Sequence, residues 1–182
     1  MLEFEGNRRW TKVASTNSIA LYLINEYEQI TQSSFEDSEL RLQKLMYYIQ
    51  KTALALTGES IIEESFEGWV HGPVLPSLRF FFEFLPTDEE VKDELTETEK
   101  YIIDNVIYEY GKYSTWTLRN MTHDEISWTN SRKDLELKEH GSNELLLEDI
   151  KKDAENVRIY DHVFDMYLDE FDDVGSDFIS VS

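Results

Sequence analysis

The feature that most constrains the fold is a long stretch with helical apolar spacing, "ELRLQKLMYYIQKTALALTG", which begins at Glu39. Its apolar residues recur at three- and four-residue steps, at Leu42, Leu45, Met46, Ile49, Ala53 and Leu56. This spacing places them on one face of an α-helix, which has to be buried against other elements. Asp37 or Ser38 can cap the start of the helix, and Gly58 can end it.

Further helical patterns lie on both sides of this stretch. "TNSIALYLINEYEQI" precedes it, and "LTETEKYIIDNVIYEYG" follows, with Thr96 and Glu99 at the spacing of a capping box. Ser114 can cap a short helix, "TWTLRNM", and the spacing of Thr122 and Glu125 predicts a second capping box before "HDEISWTNSR".

Between these helices lies "FEGWVHGPVLPSLRFFFEF", in which Gly72 and Pro73 predict a sharp turn. We expect an extended or hairpin segment near residues 60–75. Pro76 suits the first turn of a new helix, which Pro86 should stop. The predicted buried residues of that helix are apolar, namely Leu78, Phe81, Phe82 and Leu85, and the core is also the preferred location for Phe80 and Phe84.

The last helical pattern runs from about Glu144 to Phe171. It would carry a solvated acidic stripe, formed by Asp161, Asp165, Asp169 and Asp172. His162 shares this face with two of the aspartates and in principle could help to hold a divalent ion. A solvated stripe is the stronger interpretation, so no metal site is predicted.

These patterns predict a mainly α fold, a compact single-domain helical bundle with the short hairpin segment near residues 60–75. The single domain would span residues 1–182, with a core at about 16–132 and an acidic helical C-terminal part at 143–182. No Pro- or Gly-rich linker interrupts the chain.

The charge limits the functions open to the chain. It has 38 acidic and 17 basic residues and a formal net charge of -21. Direct nucleic-acid binding needs clustered cations and is therefore not expected. The acidic surface can serve solubility, attract a basic protein partner or imitate a phosphate backbone.

Composition excludes several other classes. The chain has no cysteine for disulfides or thiolate chemistry and no apolar run long enough to cross a membrane. The N-terminus lacks the order of a secretion signal, so a cytoplasmic location is expected.

Motifs for phosphate, dinucleotide or zinc binding and a serine nucleophile elbow are missing from the sequence. An enzyme using His71 or His123 as a general base is the weakest hypothesis, because nothing supplies a nucleophile beside them. We expect no catalysis and no cofactor.

One face of the long helix reverses the sign of the surrounding charge. This stripe is basic and aromatic and consists of Arg41, Lys44, Tyr48 and Lys51. It can bind a partner, or it can pair internally with nearby acids such as Glu63, Glu64 and Glu67. The Gly-Pro turn should aim Trp69 and His71 at the same helix, which makes them further candidates for partner binding.

Two motifs resemble a known family. The first comprises Leu40, Leu42, Gln43, Lys44, Leu45, Tyr47 and Tyr48 in the long helix, then Trp69, His71, Gly72, Pro73 and Val74 at the turn. The second comprises Leu118, Thr122, His123 and Trp128. Together they resemble the Panacea domain of SocA-like antitoxins, which also occurs in phage-associated proteins. The resemblance reaches from the first helix to about Arg132. Arg41 departs from it, because many members have lysine there.

The resemblance implies a mostly helical protein that binds and neutralises a cognate toxin encoded by a neighbouring gene. One branch of the family delivers its toxin to a protease, a role not transferred to this chain. The alternative hypothesis is an acidic nucleic-acid mimic that occupies a DNA-binding protein, motivated by the acidic stripe.

Overall fold

Helices dominate the computed structural model, which describes residues 14–91 and 93–170. The helices in these ranges are α1 (Thr16–Thr31), α2 (Glu39–Thr57), α3 (Glu97–Tyr110), α4 (Thr115–Thr122), α5 (Ile126–Ser131) and α6 (Leu147–Ala154). Two short antiparallel hairpins accompany them, β1 (Glu67–Trp69) with β2 (Gly72–Val74), and β3 (Tyr160–Asp161) with β4 (Met166–Tyr167). The predicted mainly α fold is confirmed.

The central element is α2, which packs against α3, α4, α6 and β2. Every residue from Leu42 to Leu54 is buried, including the polar ones. The Ser38 side chain accepts a hydrogen bond from the Arg41 N–H, and Gly58 ends the helix in the left-handed conformation with φ 75°. Both predicted boundaries are confirmed.

Polar side chains on α2 bind the main chain of neighbouring segments. The Gln43 amide donates to the Leu75 carbonyl at 3.1 Å and accepts from the Leu75 N–H at 2.7 Å. The Gln50 oxygen accepts from the N–H groups of Ile61 and Ile62 at 3.1 and 3.0 Å. These segments carry few main-chain partners of their own, so the helix satisfies groups that burial would otherwise leave unpaired.

Two of the three predicted side-chain caps for the shorter helices are confirmed. Thr96 and Glu99 form the capping box of α3, and Ser114 caps α4. The predicted box of Thr122 and Glu125 is wrong. Thr122 instead donates to the Arg119 carbonyl.

The start of α5 is capped from a distance. The Asp153 carboxylate, on α6, accepts from the N–H groups of Ile126 and Ser127 at 2.7 and 3.0 Å. It also accepts from the Tyr47 hydroxyl at 3.0 Å, which joins three helices. A charged acceptor at these N–H groups replaces the local cap that the sequence suggested.

The predicted hairpin near residues 60–75 is confirmed, with Glu67 opposite Val74 and Trp69 opposite Gly72. Gly72 adopts φ 99°, and a Cβ there would lie 2.5 Å from the Thr122 hydroxyl oxygen. Both the backbone angle and the space therefore demand glycine at this position.

The helix predicted after Pro76 is wrong, because only a 3₁₀ turn, Pro76–Leu78, forms before a series of turns. Phe80 has a positive φ of 66°, which interrupts any helix. Leu78 and Phe81 are buried as predicted and Phe82 is partly buried, whereas the expected burial of three residues is wrong: Phe80, Phe84 and Leu85 are exposed.

The C-terminal prediction is also wrong in part. The helix ends at Ala154, and the β3–β4 hairpin replaces its second half. Asp161 is buried and accepts from the Tyr101 hydroxyl at 2.9 Å, and Asp169 pairs with Arg158 at 2.7 Å, so they form no helical stripe. Phe171 and Asp172 lie outside the described residues. The single-domain organisation remains a prediction.

Replacing Gln43 tests the role of α2 as a main-chain partner. We expect Gln43→Leu to lower the free energy of unfolding by about 2 kcal/mol, because the Leu75 N–H loses its partner inside the core and the Leu75 carbonyl keeps only the Leu78 N–H. Urea denaturation measures this change, and Gln29→Leu, at an exposed position on α1, is the matched control. Equal stability of both variants would contradict the assigned role.

Candidate functional site

The basic and aromatic stripe on α2 is not an exposed face. Lys44 is 0% exposed and Tyr48 1% exposed, while Lys51 is also buried and Arg41 partly so. The expectation that this stripe presents an open contact surface is wrong. A role for these residues in partner binding therefore has to act through the elements they hold.

Each of these residues has internal partners, and they are not the acids proposed from the sequence. The Lys44 ammonium donates to the Pro73 carbonyl at 2.6 Å, and Lys51 pairs with Glu125 at 2.6 Å. Burial lowers the pKa of Lys44 well below its ordinary value, and the Arg119 charge acts in the same direction.

Two further members of the stripe are held by aromatic residues. Arg41 donates to the Tyr27 hydroxyl at 2.9 Å, and the ring of Tyr48 stacks on Tyr110 with centroids 4.1 Å apart. Glu63 and Glu64 are exposed, and Glu67 accepts from the indole of Trp69 at 2.7 Å.

The structure brings the two sequence motifs together. Leu42, Leu45 and Leu118 are core residues, and Val74 and Thr122 are also buried. The Trp128 indole donates to the Trp69 carbonyl at 2.8 Å, and its ring stacks on His123 with centroids 3.8 Å apart. The second motif therefore helps to fix the hairpin of the first.

Beside this hairpin lies a surface groove of about 1180 Å³, called the hairpin groove below. Its walls come from the start of α2, the hairpin, α4 and the loop before α6. The lining residues are Glu39, Leu40, Gln43, Trp69, Val70, His71, Val74, Arg79, Arg119, His123, Leu137, Lys138, His140, Gly141 and Ser142. The groove thus contains Trp69 and His71, two residues that the sequence had singled out.

The hairpin groove is cationic on a chain whose net charge is -21. Its charged lining includes Arg79, Arg119 and Lys138. Glu39 is the acid among the described residues that line it, and it accepts from the Phe80 N–H at 3.2 Å. This local reversal of sign suits an anionic group in the groove.

Aromatic side chains surround the cations. The Arg79 guanidinium lies 5.2 Å from the ring centroid of Trp69 and 4.7 Å from that of Phe80. Trp116 is 60% exposed and contacts His71 edge to face, with ring centroids 5.9 Å apart. Such contacts orient an arginine without neutralising it.

Two nitrogen atoms on groove residues have no hydrogen-bond partner within the described ranges. They are Nε of Arg119 and Nε2 of His123, and both are buried. Buried polar atoms are normally paired, so a site that leaves two unpaired is a candidate for binding a polar ligand.

The histidines respond to this positive environment. The pKa of His123 is lowered to about 4, first by burial and then by the charges of Arg119 and Lys44. The pKa of His71 shifts in the same direction. His123 is the C-terminal cap of α4.

Sequence reasoning missed Arg79, Arg119 and Leu137, which line the groove, and Trp116, which contacts its lining residues His71 and Arg119. Trp116 and Arg119 lie three residues apart on α4, whereas Arg79 and Leu137 lie in other segments, so no single spacing pattern joins the four. Their signal was compositional, since Arg79 and Arg119 each stand close to aromatic residues in a chain with few cations.

The chain thus combines a mainly helical fold with an open cationic groove. Residues 42–129 match the family model described as antitoxin SocA-like, Panacea domain. The match confirms the resemblance drawn from the two motifs. No curated protein matches the chain, and no solved structure does.

Two further findings concern the described residues. None of their helices is long and apolar enough to cross a membrane. Within 14–91 and 93–170, no three histidine or acidic side chains come together in a way that could hold a metal ion.

A titration of His123 tests the electrostatics of the groove. Because its pKa is about 4, we expect its imidazole to remain neutral as the pH falls from 7 to about 5. The unfolded chain takes up this proton near pH 6.5, so His123 should reduce folding stability as pH falls between 6.5 and 4.

Two-dimensional NMR of the imidazole nitrogens measures the titration directly. Arg119→Gln should raise the pKa of His123 by removing a positive neighbour, whereas Lys112→Gln, outside the groove, should leave it unchanged. A midpoint near 6.5 in the unmodified protein would contradict the buried, cationic setting.

Proposed function

We propose that this chain is an antitoxin that binds a cognate toxin, encoded by a neighbouring gene, and neutralises it by direct protein contact. The family match supports an antitoxin role in general and favours a regulatory over a catalytic function. The contact surface proposed is the hairpin groove with its exposed rim.

The observation that carries this proposal is the cluster of large exposed apolar side chains around one groove. Trp116 on α4 is 60% exposed, Leu137 is 72% exposed, and Phe80 follows the groove residue Arg79. Interface energy is concentrated in tryptophan, tyrosine and arginine residues that a partner buries. A rim of this kind therefore supports protein binding better than solvation alone does.

The sequence-predicted contact residues divide into two groups under this proposal. Trp69 and His71 line the groove and act as contact residues. Lys44 and Tyr48 are buried and act indirectly, because Lys44 holds Pro73 in the hairpin. Substituting either buried residue would test folding more than contact.

The acidic surface outside the groove supports a partner that is basic overall. A net charge of -21 raises the encounter rate with such a partner at low salt. The nucleic-acid mimic loses its motivation, because Asp161 is buried and Asp169 is paired with Arg158.

Trp116→Ala is the sharpest test of the proposed surface. Loss of an interface tryptophan typically costs about 2 kcal/mol or more, so we expect at least about tenfold weaker binding. Co-expression with the neighbouring toxic gene measures growth rescue, and a pull-down with the toxin measures the complex. Because the side chain is exposed, the variant should keep its melting temperature.

Val163→Ala is the matched control, since Val163 is 64% exposed but lies in the β3–β4 hairpin away from the groove lining. It should rescue growth fully. Rescue by Trp116→Ala at the level of this control would overturn the proposed surface. Failure of the unmodified chain to rescue growth from any adjacent toxic gene would overturn the antitoxin function itself.

A further inference from the structure

The hairpin groove has the opposite charge to the rest of the molecule, and the proposed function does not explain this. A partner attracted by the acidic surface is basic, yet Arg79, Arg119 and Lys138 would repel a basic segment from the groove. The part of the partner that enters the groove must therefore differ in charge from the part that approaches the remaining surface.

The unpaired nitrogen atoms indicate which chemical group the segment of the partner in the groove has to provide. The Nε–H of Arg119 is a fixed donor, and Nε2 of the neutral His123 imidazole is a donor or an acceptor according to its tautomer. An oxyanion in the groove can accept from the Arg119 guanidinium and is attracted by the charges of Arg79 and Lys138. Such charge-assisted hydrogen bonds are the strong ones in a partly dry site.

The apolar rim defines the rest of the occupant. Trp116 and Leu137 are exposed beside the cations, so a small hydrated anion would leave them in water. A peptide that alternates acidic and apolar side chains would cover both. The volume of about 1180 Å³ and the walls from four parts of the fold also suit an extended segment.

We propose that the hairpin groove receives an acidic, apolar segment of the toxin, with a carboxylate held at Arg119 and apolar side chains on Trp116 and Leu137. This inference rests on the proposed function. It specifies a partner of mixed charge, basic over most of its surface and acidic in the segment that enters the groove. A free small anion is a weaker candidate, because it would leave the exposed side chains of Trp116 and Leu137 in water.

The test uses synthetic peptides with the full-length chain and needs no knowledge of the toxin. The probes are acetyl-Leu-Glu-Phe-Glu-Leu-amide, its counterpart with glutamine for glutamate, and its counterpart with lysine. NMR of the ¹⁵N-labelled tryptophan indoles reports binding at Trp69 and Trp116. AMP serves as the small anion with a planar ring.

We expect the acidic peptide to shift the Trp116 indole signal and to bind at least about fivefold more tightly than the glutamine peptide. The lysine peptide should bind more weakly than both. The preference should shrink in about 0.5 M NaCl, because salt screens the attraction.

Arg119→Gln should abolish the preference for the acidic peptide. Lys138→Gln, at an exposed loop position, should reduce it without any risk to folding. Lys112→Gln removes a cation that lines a different surface groove and should leave the preference intact.

Equal binding of the three peptides, no measurable binding of any, or tighter binding of AMP would each overturn this inference. None of these results depends on toxin neutralisation. If the peptides bind selectively but the chain does not rescue growth, the antitoxin function is wrong and the groove inference stands. If Arg119→Glu still rescues growth and the peptides bind without selectivity, the groove inference is wrong and the antitoxin function stands.

Discussion

The structure depends on the way α2 uses polar side chains to satisfy main chain that lacks regular partners. Lys44 donates to Pro73, Gln43 exchanges two hydrogen bonds with Leu75, and Gln50 binds the segment at Ile61 and Ile62. An unpaired buried donor or acceptor costs about 1–3 kcal/mol, so these contacts decide where the connecting segments can lie. The helix α2 therefore forms the core of the fold and also positions the irregular segments that pack on it.

This arrangement makes the groove a rigid feature of the fold. Lys44 holds one strand of the β1–β2 hairpin from below, and the Trp128 indole holds the other through the Trp69 carbonyl. With both strands held, Trp69 and His71 have defined positions, so the proposed partner binding would require little further ordering of these residues. Because Lys44 is fully buried and donates to the Pro73 carbonyl, its role is to hold the hairpin rather than to contact a partner directly.

Local patterns predicted much of this fold. The apolar spacing of α2, the Ser38 and Thr96 caps and the hairpin near residues 60–75 are all properties of neighbouring residues, and each was confirmed. The turn itself lies at Val70 and His71, because Gly72 and Pro73 belong to β2. The failures involve distant partners. Asp153 caps α5 from another helix. Lys44 is buried because elements distant in the sequence pack over it. The groove could be foreseen only in part, because Trp69 and His71 belong to a motif whereas Arg79 and Arg119 meet only in three dimensions.

Thr122 and Lys44 leave no room for a side chain at Gly72, and this has a consequence for how the sequence of such a protein can change during evolution. The buried residues beneath the groove pack closely against one another, so a single substitution among them is expected to lower the stability of the fold. The rim positions at Trp116 and Leu137 lie on separate elements and face outwards. If the groove binds as proposed, substitutions at the rim can change the partner while the residues beneath it stay the same.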